Sequence, residues 1–131
     1  MERKLLQMTF AIAGLVLVGF GLAGVFFGAN FLDLSGNVVM DSYIRFLKGM
    51  LLAIGLIYWS AIADIERHGE RIALVTLILV LGAVPRLMAV IGHGVPTNGI
   101  LISLAGELIA APLLWLWQRR IARAAQCSAL T

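Results

Sequence analysis

Four apolar runs, each long enough to cross a bilayer, decide what this chain can fold into. They fall at about residues 5–27, 42–65, 71–93 and 98–118. At about 1.5 Å of rise per residue, each covers the roughly 30 Å hydrocarbon core as an α-helix. Backbone N–H and C=O groups in lipid must be satisfied within the protein, so runs of this length read as helices. Composition agrees. Of 131 residues, 61% are hydrophobic and 13% are Asp, Glu, Lys or Arg, against about 45–50% apolar and about 25% charged in soluble domains. The expected fold is all-α: one domain of four transmembrane helices in an antiparallel bundle, followed by a basic tail over 119–131.

The placement of Lys and Arg gives an orientation. Arg3 and Lys4 precede the first run, Arg67 and Arg71 flank the middle turn, and Arg119, Arg120 and Arg123 follow the fourth run. The connections 28–41 and 93–99 contain neither residue type. The positive-inside rule then puts both termini in the cytoplasm. Arg45 and Lys48, just inside the outer end of the second span, reduce the asymmetry slightly. The net charge of +3 sits mostly beside apolar runs, which favours orientation and contact with anionic lipid over nucleic-acid binding. The basic start could open a secretory signal, but the first run far exceeds the ~7–15-residue core of such signals, and no A-x-A site follows. An uncleaved first helix is expected.

Local signals subdivide the chain. Gly14, Gly21 and Gly28 recur at heptad spacing, and Gly24 with Gly28 makes GxxxG, which lets helices approach closely. Packing within the bundle is the favoured use of this face, and a homodimer seam is the alternative. Gly106 and Ala110 make a second small-residue face. The 28–41 connection mixes turn residues with apolar ones and reads as interfacial, or as a lid over the bundle mouth. Asp41 or Ser42 can cap the second span, and Thr97 or Asn98 the fourth. Gly69 in the charged 66–71 turn suits a helix C-cap. Pro85 and Pro112 lie inside the third and fourth runs, where each removes a hydrogen-bond donor and predicts a kink. After Trp115 and Trp117, the tail is expected to continue as a short amphipathic helix on the membrane surface. Cys127 is the only cysteine, so no internal disulfide can form.

The candidate site is a polar constellation inside the apolar runs. Arg86 stands roughly 10 Å from the outer end of the third span and Glu107 roughly 15 Å from that of the fourth. A hairpin brings these helices side by side, and an arginine side chain covers the difference. Ser103 lies one helical turn before Glu107. Lys48 reaches a depth near that of Arg86. The expectation is that Arg45, Lys48, Arg86, Glu107 and Ser103 form one outer-half cluster, net positive and walled by apolar residues. Ionisable groups inside a bilayer are costly and tend to mark function. Such a pocket suits an anionic amphiphile: a phospholipid headgroup, a fatty acid or a lipid-linked intermediate. The plainer reading is a structural Arg86–Glu107 pair, with Arg45 held by Asp41 and Lys48 reaching headgroups.

Other classes are weaker. A proton-coupled carrier would use Glu107 as its titrating group, yet one carboxylate matched by arginine makes a poor relay. An accessory or assembly subunit, or a homo-oligomer, would use the glycine-rich faces. For an enzyme there is no HExxH, CxxC, Gly-rich phosphate loop or Ser/His/Asp set. His68 and His93 fall at opposite membrane faces and cannot share a metal. No cofactor, metal site or catalytic residue is expected, although an acid/base site of Glu107, Arg86 and Ser103 acting on a lipid is conceivable.

These residues carry a resemblance. Arg45-Phe46 with Gly49 opening the second span, Arg86 late in the third, and Glu107-Leu108 in the fourth resemble an uncharacterised family of small four-helix bacterial inner-membrane proteins, a domain-of-unknown-function family. The similarity covers the four spans and leaves the tail outside. A small residue often precedes the third-span arginine in that family, where this chain has Pro85, with Gly82 a turn earlier. The resemblance implies a four-helix bundle in a bacterial cytoplasmic membrane and implies no activity.

Overall fold

A computed structural model describes residues 1–32, 37–94 and 97–130. The described residues form helices and turns, without strands. Helix α1 covers Glu2–Phe27, α2 Val38–Ile62, α3 Gly69–His93, α4 Asn98–Ala105 and α5 Ala111–Ala129. One 3-10 turn, Gly28–Leu32, follows α1, and one π-turn, Gly106–Ala110, joins α4 to α5. Four helical segments are long and apolar enough to cross a membrane, the last running unbroken over Asn98–Ala129. The protein is therefore an all-α, multi-pass membrane protein. Its lid or interfacial connection turns on residues 33–36, and its 93–99 turn includes residues 95 and 96; both sets lie outside the described residues.

The chain divides into two compact units. The first, Gln7–Ala63, is an antiparallel hairpin of α1 and α2. Glycines on both helices bring them together. A Cβ on Gly21 would stand 2.7 Å from the backbone N of Leu52, and one on Gly55 would stand 2.7 Å from Val18 Cγ2. Gly14 leaves room for the Trp59 indole, whose Nε1 donates to Ala11 O at 3.1 Å. Deeper in the same seam, Phe10 meets Tyr58 edge to face with ring centroids 5.0 Å apart. Gln7 Nε2 donates to Ile62 O at 2.8 Å and ties the far end. The α1 glycines of the heptad and GxxxG patterns thus serve packing within the hairpin.

Helix α2 starts at Val38, capped by Asn37, whose side chain accepts from Val39 N. The expected caps, Asp41 and Ser42, lie inside the helix. Asp41 is engaged elsewhere: its Oδ1 accepts from Ala29 N at 2.7 Å and its Oδ2 from Arg45 Nε at 2.8 Å. Gly28 makes this possible with φ +56, a left-handed conformation that ends α1 without a Cβ penalty.

The second unit joins Met1–Leu6 to Asp64–Thr131. Arg3 pairs with Glu66 at 3.5 Å. Gly69 is the first residue of α3 rather than a C-cap. Its missing side chain leaves room for Gln118, since a Cβ there would sit 3.2 Å from Gln118 Nε2. Gln118, fully buried, donates to Ile65 O at 2.8 Å and fixes α5 to the turn that precedes α3. Helix α3 continues through Pro85 and buries Ile72, Val75, Thr76, Leu79 and Ala83 at helical spacing. Thr97 stands at the N-cap of α4 without a side-chain cap bond. The tail adds no separate surface helix, because α5 carries the fourth span straight on to Ala129. At about 1.5 Å per residue the 32 residues from Asn98 extend about 48 Å, well beyond the hydrocarbon thickness.

Candidate functional site

Helix α3 supplies Arg86 one residue after Pro85, and the π-turn supplies Glu107. Arg86 Nη1 donates to both Glu107 oxygens, at 2.6 Å and 2.7 Å. Ser103, one turn earlier on α4, donates to Glu107 Oε1 at 3.2 Å and accepts from Arg86 Nη1 at 3.4 Å. The hairpin therefore does for these three what helix rise and antiparallel packing require: two charges that are each costly in lipid meet and share a hydroxyl.

The π-turn has a local cause. Pro112 has no N–H, so it offers no donor to the Leu108 carbonyl four residues back or to the Glu107 carbonyl five back. Ala111 N bonds Gly106 O across five residues, which is the wider ladder of a π-turn. Pro112 then falls in the first turn of α5, where proline is tolerated. Glu107 is the second residue of this turn.

The pair is asymmetric. Arg86 keeps 38% of its side chain accessible and Glu107 16%. Both Glu107 oxygens are held, but a guanidinium has five N–H donors on three nitrogens and the bonds to Glu107 and Ser103 all run through Nη1. Among the described residues, Nε and Nη2 meet no acceptor. The arrangement can receive an anionic oxygen on that edge of the guanidinium without breaking the pair.

The other two expected cations belong to the α1–α2 hairpin. Arg45 Nη1 donates to Val25 O at 2.6 Å and to Phe26 O at 3.3 Å, while its Nε holds Asp41. It satisfies carbonyls that the end of α1 would leave without partners and sets a positive charge at the negative end of that helix. Lys48 lays its stem across Gly24, where a Cβ would collide with the Lys48 methylenes. Its ammonium stands 6.0 Å from the Phe20 ring centroid, a turn along α1 from Gly24.

Residues 5–118 match the model of the family described as Domain of unknown function (DUF4345). This chain is a member of the DUF4345 family. Comparison with curated proteins and with solved structures gives no match. The DUF4345 region contains all four apolar runs and every residue of the constellation, and it stops before Arg119.

Three features of this DUF4345 chain escaped sequence reading. The Asp41–Arg45 pair is expected from its i, i+4 spacing, but the second bond of Asp41, from Ala29 N at the end of α1, depends on a left-handed Gly28 that no spacing rule reveals. Gln118 reads as one more polar residue at a span exit, yet it is buried. The π-turn has a sequence signal in Pro112, although a proline by itself specifies only a kink.

Proposed function

We propose that this protein is a multi-pass protein of a bacterial cytoplasmic membrane, with both termini inside, that binds an anionic lipid or amphiphile at Arg86. The observation that carries the reading is the guanidinium edge. Nη1 is committed to Glu107 and Ser103, whereas Nε and Nη2 meet no acceptor among the described residues. Donors within an apolar span gain most from a strong acceptor, and a phosphate or carboxylate oxygen matches the planar guanidinium fork. Glu107 and Ser103 act as positioning groups: through Nη1 they hold the Arg86 guanidinium in place, with the side chain 38% accessible.

The test is lipid retention by native mass spectrometry from a gentle detergent. Arg86→Leu with Glu107→Leu removes both charges together and leaves neither unpaired. The expected result is a folded, monodisperse protein that has lost its bound anionic lipid. Unchanged lipid adducts in the double variant would contradict the proposal.

A further inference from the structure

The α1–α2 hairpin carries a second candidate lipid contact, separate from Arg86. On α1, Leu15, Val16, Gly19, Phe20 and Ala23 line an open notch of about 300 Å³. Its origin is the absent side chain at Gly19, where an added Cβ would meet nothing within 4 Å. Leu15, Val16 and Phe20 around it are half exposed or more. These residues fall at i, i+1, i+4, i+5 and i+8, one continuous face of a helix. The α1 glycines that meet α2, at 14, 21 and 24, lie on a different face. The notch is therefore not a by-product of helix packing.

Charge stands at its edge. Phe20 forms one wall, and the Lys48 ammonium lies 6.0 Å from the centroid of that ring. The stem that carries it is held on Gly24 by contacts along its methylenes. A wall of an apolar groove and a cation thus stand 6.0 Å apart, ammonium to ring centroid, on one hairpin. A bilayer component that is apolar along most of its length and anionic at one end complements both parts. We propose that this face seats one acyl chain of an anionic glycerophospholipid, with the chain in the Gly19 notch and the headgroup charge drawn to Lys48. The notch takes a segment of one chain and leaves the rest of the lipid in the bilayer. The proposal is independent of the Arg86 reading, because it uses only α1 and α2.

The test is photolabelling of the full chain in phosphatidylcholine vesicles by a phosphatidylglycerol bearing a diazirine on its acyl chain, mapped by peptide mass spectrometry. Label should concentrate on residues 15–23. Unlabelled phosphatidylglycerol should compete about fivefold better than phosphatidylcholine, the scale set by one basic residue near an anionic headgroup. Gly19→Leu places a side chain in the notch, where its Cβ meets nothing within 4 Å, and should remove the concentration of label. Lys48→Met keeps the stem over Gly24 and should bring the two competitors to parity. The Arg86→Leu/Glu107→Leu protein should label as the wild type, which separates this site from the proposed function. Label spread evenly over all exposed helix faces, or either α1–α2 variant behaving as the wild type, would overturn the proposal.

Discussion

Gly19 and Gly21 stand two residues apart on α1 and predict opposite outcomes. A methyl on Gly21 would press 2.7 Å from Leu52 N, against backbone that cannot turn aside. Gly21→Ala should therefore lower stability by about 1–3 kcal/mol, the usual range for overpacking. Gly19→Ala meets open space and should be neutral or slightly stabilising, since alanine favours a helix over glycine. Thermal unfolding in detergent separates the two. Gln118 makes a similar case in the other unit. It is buried, and its amide donates to Ile65 O. Gln118→Leu removes that donor and leaves the carbonyl unsatisfied, for an expected loss of about 1–3 kcal/mol. At this scale the sequence was readable where chemistry is rare. An arginine and a glutamate inside apolar runs announce themselves, and their pairing followed from depth alone. The Gln118–Ile65 and Asp41–Ala29 bonds were not legible, because they depend on which backbone groups the turns bring within reach.

At the scale of the element, the four apolar runs were legible because length and hydropathy suffice to define them. Their ends were less so. Helix α2 begins at Val38 rather than near Ser42, since Asn37 supplies the cap and Asp41 is drawn to Ala29 and Arg45. The fourth span contains a π-turn just before Pro112, a feature that the proline alone did not specify. A π-turn contains one residue more than the α-helix it interrupts, and this predicts how the segment tolerates shortening. Deletion of exposed Ala110 should let the turn relax to α-helix with Glu107 and Gln118 still on their own faces. Deletion of Leu114, beyond the turn, would rotate Gln118 by about 100° away from Ile65. Size-exclusion profiles of the two deletion proteins check this: the first should stay monodisperse and the second should aggregate. The opposite ranking would show that the extra residue is not absorbed by the turn.

For the whole molecule, the sequence established the class and the family match established the relationship. Neither assigns chemistry. The proposed orientation, with both termini in the cytoplasm, has a direct test in the tail, which continues α5 as a helix to Ala129. Cys127, the single cysteine, is exposed on that extension. A membrane-impermeant maleimide should therefore label it only after the cells are permeabilised, and labelling in intact cells would reverse the orientation. The lipid-binding reading rests on a more local fact, that Arg86 and Glu107 hold each other within the span. A double-mutant cycle measures it: the unfolding free energies of Arg86→Leu, Glu107→Leu and the double variant in one detergent. The account predicts that each single change is more damaging than the double, with a coupling energy of about 1–3 kcal/mol. Additive effects, with no coupling beyond about 0.3 kcal/mol, would contradict it.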